Sequence, residues 1–212
     1  MLRGILITIK YSPFVRMAKR LRMQRKPVKK EEEKVGEDIM KCGLLEMPIG
    51  PRKLVFWKQP QESDTLLVLY HETFHQFLAY YLDHAPQWFN EGHGDYFGPS
   101  TYNEKTKQME IRTNPWRLKG IQQGIQAGRF TPVTKLMQMT QAEMYDPKTV
   151  GMNYAQAWSL VYFFWHFENG KYAKLLQQYF QFLSKDEDLK GAYEAVFAKQ
   201  DMGKIEEEWK KF

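Results

Sequence analysis

His71, Glu72 and His75 stand in the pattern His-Glu-x-x-His, and Glu91 follows sixteen residues after His75. Residues four apart on a helix share one face, so the two imidazoles can meet a single metal ion there. The carboxylate between them then points at a water beside that ion and can take its proton. Two His and one Glu leave a coordination position open, which is the arrangement of a catalytic zinc and not of a closed structural one. The chemistry to expect is metal-assisted hydrolysis.

Two helices must position these groups. Leu66-Leu67-Val68-Leu69-Tyr70 leads into the motif, and Phe74, Phe77, Leu78 and Leu82 carry the apolar pattern on at helical spacing. The pattern predicts a largely buried helix over residues 64–82, with Ser63 or Asp64 as N-cap. Imidazoles and a carboxylate buried on it need a partner, which a metal supplies. Residues 83–87 read as a tight turn, with Pro86 suited to the first position of a second helix that continues over 88–97. If the chain folds back near Asp83, His75 and Glu91 each lie eight residues from the pivot, and His71 and Asp95 each twelve. Glu91 then becomes the third ligand, and Asp95 a carboxylate able to hold the outer ring nitrogen of His71. Trp88 and Phe89 are expected to wedge the two helices together.

The segments His71-Glu72-Thr73-Phe74-His75-Gln76-Phe77 and Trp88-Phe89-Asn90-Glu91-Gly92-His93-Gly94-Asp95-Tyr96-Phe97 together resemble the gluzincin zinc metallopeptidases. Within them the similarity is to the peptidase-MA-like branch, and to an uncharacterised bacterial family with a short spacer between the two helices. The rival metzincin pattern requires Gly and His at positions 78 and 81, where this chain has Leu78 and Tyr81. The resemblance spans roughly residues 40–212. It implies an α+β, zincin-like fold: a small N-terminal sheet lobe leading into the active-site helix, and a mainly helical C-terminal lobe across a cleft. It also implies zinc held by His71, His75 and Glu91, with Glu72 as the general base that hydrolyses a peptide bond. In this branch a Tyr at the start of a C-terminal-lobe helix commonly stabilises the oxyanion. Tyr154 matches that place, although its aromatic-rich helix would equally suit a core Tyr. The resemblance further implies that an edge strand over residues 52–58 lines the cleft, where an extended peptide can add as a strand.

The 212 residues carry 31 Lys or Arg against 25 Asp or Glu. The excess belongs to the first thirty residues, which hold ten bases and no acid, so the rest of the chain is net negative. A basic arm can touch nucleic acid or an anionic membrane, but no aromatic interleaving or reader motif accompanies this one. A peptide or protein substrate is therefore the expected partner, and nucleic acid is not. A hydrophobic content of 43% fits a folded globular protein. The lone Cys42 excludes an internal disulfide and reads as a small apolar residue. No run of eighteen apolar residues predicts a membrane span, and residues 2–9 lack the small-residue site of a signal peptide. As it stands the chain predicts a cytoplasmic protein. Relatives often carry a longer N-terminal region, which would allow an extracytoplasmic one.

The remaining segments fill in the organisation. Residues 1–39 read as a strand (4–9), a basic amphipathic helix (14–21) and a charge-segregated, partly mobile linker (25–38). Residues 40–212 read as the catalytic domain, with sheet edge and metal-binding helix pair over 40–98 and a mostly helical lobe over 99–212. Strands at 44–47 and 53–57 flank Pro48-Ile49-Gly50-Pro51 as one hairpin, and 100–102 with 108–112 form another. Helices are expected over 116–129, 132–144, 154–166, 171–183, 189–198 and 202–212. Gly120, Gly124 and Gly128 would allow close helix packing in the first of them. Of the other histidines, His84 falls in the turn and His93 on another side of its helix. His166 falls at a helix C-terminus, where an imidazolium suits the dipole. A catalytically inactive module that binds peptides in the same cleft is the alternative reading.

Overall fold

Between residues 154 and 165 the chain has almost no polar face, and such a helix is stable only inside a shell of others. The computed structural model describes residues 5–7, 44–47, 53–56, 61–79, 81–82, 84–103, 105–106, 108–185 and 188–212. Their elements are β1 (Ile5–Ile7), β2 (Leu44–Met47), β3 (Lys53–Phe56), α1 (Glu62–Ala79), α2 (Gln87–Phe97), β4 (Thr101–Asn103) and β5 (Gln108–Glu110). There follow α3 (Pro115–Gln126), α4 (Val133–Leu136), α5 (Gln141–Met144), α6 (Val150–His166), a 3-10 turn (Phe167–Asn169), α7 (Ala173–Leu183), α8 (Leu189–Val196) and α9 (Met202–Lys211). The class is α+β, with helix dominant. The expected helix over 14–21, the linker over 25–38, Cys42, the Pro48–Pro51 turn and the pivot at Asp83 lie outside the described residues.

β1, β3 and β2 form one antiparallel sheet in that order, with Phe56 opposite both Ile5 and Leu44. The strand assigned by sequence to the N-terminal segment thus pairs within the sheet that precedes α1. It also covers the strand expected over 52–58 as an open cleft edge: β3 is the central strand, bonded to β1 on one side and β2 on the other, and offers no free edge to an extended peptide. β4 and β5 make the second hairpin, with Tyr102 opposite Met109.

The core is built around α6. Ala157, Trp158, Leu160, Val161, Phe163 and Phe164 are buried. They pack against α2, α3 and α7, and Phe163 and Phe164 add ring contacts with Tyr172. α2 approaches α6 closely because Gly92 faces it: a Cβ there would stand 2.6 Å from the Ala157 carbonyl oxygen. In α3, a Cβ at Gly120 or Gly124 would likewise meet Ala155 or Met152 of α6, as the packing reading requires, whereas Gly128 lies beyond the end of α3 at φ +63 with nothing within 4 Å and takes no part in that packing. Gly170, at φ +87, stops the chain after the 3-10 turn. No helix among the described residues is long and apolar enough to cross a membrane.

Several boundaries differ from expectation. α1 starts earlier than residue 64, and Gln61 rather than Ser63 or Asp64 supplies the carbonyl that accepts the Thr65 N–H. Pro86 precedes the first helical residue of α2 and lends its carbonyl to Phe89 and Asn90. The single helix expected over 132–144 is two short ones. Thr140 breaks it, because its side chain accepts from the Glu143 N–H while the Glu143 carboxylate accepts from the Thr140 N–H. Trp88 and Phe89 share one core with Phe74, Phe77 and Leu78 of α1, and their ring contacts run to Tyr179, Phe197 and His93. Phe74 of α1 stacks on His93 and Phe97 of α2.

Candidate metal centre

α1 and α2 lie side by side and bring His71, His75 and Glu91 to one point. One ligand atom from each lies within 4.8 Å of the others. The Nε2 atoms of His71 and His75 are 2.9 Å apart, and Glu91 Oε2 lies 3.3 Å from the first and 3.5 Å from the second. Gly94 makes the approach feasible on the α2 side, since a Cβ there would stand 2.8 Å from the His71 ring.

Hydrogen bonds on the outer edges of the rings decide what this point can hold. His71 Nδ1 is 3.1 Å from Asp95 Oδ1, and His75 Nδ1 is 2.8 Å from Asn90 Oδ1. Each Nδ1 faces an oxygen acceptor and so carries the ring proton, which leaves each Nε2 as a lone pair in the neutral imidazole. Glu91 Oε2 is buried and, among the described residues, has no hydrogen bond of good geometry. With both rings neutral, three lone pairs converge here, a repulsive arrangement that a cation or a proton relieves. A metal ion fits this donor set.

Without a metal, protons take that role. Burial alone would lower the His71 pKa, but hydrogen bonds and charge from Asp95 and Glu91 outweigh it and raise the group to about 10. Burial pushes Glu91 upward, but the hydrogen bonds and charges of His71 and His75 hold its carboxyl well below the usual carboxylate range. Asp95 is anchored in turn: Arg117, from α3, donates its Nε–H to Asp95 Oδ2 over 2.7 Å. The Arg117 guanidinium also lies 4.9 Å over the Tyr154 ring. The Asn114 side chain caps α3 by accepting from the Arg117 N–H, which fixes the backbone of that residue.

Two tyrosines reach the same carboxylate. Tyr154, on α6, is half-buried, and its pKa is raised by burial first and then by the charge of Glu91 and by Tyr145. Tyr145 donates its phenolic proton to Glu91 Oε1 over 2.6 Å. Its pKa is likewise raised, by burial and then by Glu91, with a smaller contribution from the charge of Glu72. Glu72 itself is half-buried on α1, between the two imidazole positions.

The remaining histidines stay out of the cluster. His84 is exposed. His93 is buried, donates through Nδ1 to the Phe89 carbonyl and accepts from Trp165 Nε1. Burial lowers its pKa to about 4. His166 lies in the last turn of α6, as expected; burial lowers its pKa, and its Nε2 shares a 2.9 Å hydrogen bond with the Tyr96 hydroxyl.

Sequence reasoning brought His71, His75, Glu91 and Asp95 together and missed Tyr145, Asn90 and Arg117. Asn90 carried a signal, since it faces the same turn of α2 as Glu91. Tyr145 and Arg117 belong to distant elements, and no spacing in the sequence ties either of them to Glu91 or Asp95.

The family described as protein of unknown function (DUF1570) matches residues 66–189, more than half of the chain, and the chain belongs to that family. Every residue of the cluster lies inside the matched stretch. No curated protein and no solved structure matches the chain.

Proposed function

We propose that this member of the DUF1570 family is a zinc-dependent peptidase of gluzincin type with a zincin-like fold. His71, His75 and Glu91 are its metal ligands and Glu72 its general base. The observation that carries the reading is the convergence of His71 Nε2, His75 Nε2 and Glu91 Oε2, each group backed by a partner on its far side. Two neutral imidazoles and one carboxylate suit zinc better than the harder divalent cations, which take oxygen ligands. When bound, zinc supplies Lewis acidity: it makes water nucleophilic near neutral pH and polarises the scissile carbonyl.

The chain's own residues do the rest. Asp95 and Asn90 hold the Nδ1 protons, so both Nε2 atoms stay turned inward. Glu72, next to His71 on α1, takes the proton of the attacking water and delivers it to the departing amine. Tyr154, whose phenol stays protonated through the working pH range, donates to the carbonyl oxygen as negative charge gathers there. The substrate is a peptide or protein segment.

The test is cleavage of a mixed peptide library by zinc-loaded protein, read by mass spectrometry beside Glu72→Gln. Loss of a general base lowers the rate by about 10²–10⁴-fold, so Glu72→Gln should lose cleavage while retaining its zinc. A wild-type protein that holds zinc and cleaves nothing in the library, or a Glu72→Gln protein as active as wild type, sinks the proposal. The first outcome would favour a peptide-binding module on the same scaffold.

A further inference from the structure

We propose that Tyr145 fixes Glu91 as a one-oxygen ligand: its phenol occupies Oε1, so that only Oε2 is presented to the metal. This rests on the metal reading above and concerns how the carboxylate is held, not whether a metal binds.

The two oxygens of Glu91 have different surroundings. Oε1 receives the Tyr145 proton over 2.6 Å, whereas Oε2 is buried without a hydrogen bond of good geometry and faces the two Nε2 atoms. A carboxylate near a divalent cation can offer one oxygen or both, and a second oxygen uses a position that water or substrate needs. The phenol opposes that second contact by engaging Oε1 in a charge-assisted hydrogen bond. The Tyr145 oxygen also lies 2.9 Å from Gln87 Oε1. A phenol has one proton, and the charged carboxylate is the stronger acceptor, so the proton goes to Glu91.

Tyr145 is held firmly enough for this. It is the residue at which α5 ends, and the reciprocal Thr140–Glu143 bonds fix the start of that helix. From α6 the buried Asn153 side chain donates to the carbonyls of Glu143 and Met144 and to Thr149 Oγ1, over 3.0–3.1 Å. Met144, just before Tyr145, is buried in the core. The backbone ahead of Tyr145 is therefore tied to the helix that carries Tyr154, and Tyr145 acts on the metal only through Glu91. It is a positioning residue.

Tyr145→Phe removes the proton and keeps the ring. Each protein is loaded with Co²⁺ for visible absorption, and its zinc affinity is measured by competition with a chromophoric chelator. Tyr172→Phe is the control, because it deletes a phenol–carboxylate bond of the same 2.6 Å length, to Glu208, away from the site. We expect Tyr145→Phe to bind one metal per chain with weakened and shifted cobalt bands, as a second carboxylate oxygen joins. Its zinc Kd should rise roughly 10-fold, the low end of what a lost ligand support costs. Tyr172→Phe should match wild type in both. A Tyr145→Phe protein with the wild-type spectrum and Kd overturns this role and leaves the metal site standing. A wild-type protein that binds neither cobalt nor zinc overturns the metal site, and this role with it.

Discussion

Replacing Gly94 with Ala sets a methyl group against the His71 imidazole. The added carbon would stand 2.8 Å from Cε1 and 3.0 Å from each ring nitrogen, whereas such contacts relax only at about 3.5–4.0 Å. The ring must retreat by roughly 0.5–1 Å, and metal–ligand distances tolerate only about 0.2 Å. The same retreat stretches the 3.1 Å contact between His71 and Asp95. Loss of a supporting contact of that kind costs about 10–100-fold in metal affinity, so zinc binding should weaken at least about tenfold. The fold should suffer much less. Overpacking costs about 1–3 kcal/mol, and exchanging a helical glycine for Ala returns up to about 1 kcal/mol.

Chelator competition gives the zinc Kd, and urea unfolding of the metal-free protein gives the stability. Gly151→Ala is the control: Gly151 is also helical, on α6, and a Cβ there meets nothing within 4 Å. It should hold or slightly raise stability and leave zinc binding alone. A Gly94→Ala protein with wild-type zinc affinity would refute the seating of the His71 ring against α2, and the ligand assignment with it.

Two further outcomes are expected. Elemental analysis should find one zinc per wild-type chain and clearly less in Glu91→Gln, because the amide replaces the charged oxygen that faces both imidazoles; equal zinc in the two proteins would remove Glu91 from the ligand set. The metal-free protein should lose stability in mild acid through His93, whose folded pKa of about 4 lies below its ordinary value of 6.5. The unfolded chain takes up a proton there that the folded chain refuses, so stability is intact above pH 6.5 and falls as pH drops toward 4. At about 1.4 kcal/mol per pH unit this comes to roughly 3 kcal/mol. The difference between wild type and His93→Gln in urea unfolding isolates the effect, and an identical pH dependence in both would rule it out.

The centre was legible where a rigid rule converts spacing into position. Helices have a constant rise, so two of them joined by a short turn must set residues equidistant from the pivot beside each other. That arithmetic paired His75 with Glu91 and His71 with Asp95; the second pair stands at 3.1 Å, whereas Glu91 sits between the two imidazoles, 3.3 Å from His71 and 3.5 Å from His75. Tyr145 obeys no such rule. It lies 54 residues from Glu91, and its place depends on a break where apolar periodicity predicted continuous helix. Thr140-Gln141-Ala142-Glu143 is itself a helix-start signature, and reading it would have split the segment and put Tyr145 in a turn. Arg117 depends on how α3 crosses α6, which glycine spacing permits but does not fix.

The glycines of α2 show how one helix serves two neighbours. Gly92 faces α6, where the atom that a Cβ would strike is a backbone oxygen; backbone of a buried helix cannot give way, so this contact belongs to the fold. Gly94 faces α1, where the obstructed atoms are those of a side chain; an imidazole can turn, so this contact belongs to the metal. Glu91 and Asp95 bracket both positions and are buried with them. The spacing that lets α2 pack against the core is thus the spacing that aims its carboxylates at the imidazoles of α1. Burial of these carboxylates is offset by the imidazoles and by Arg117.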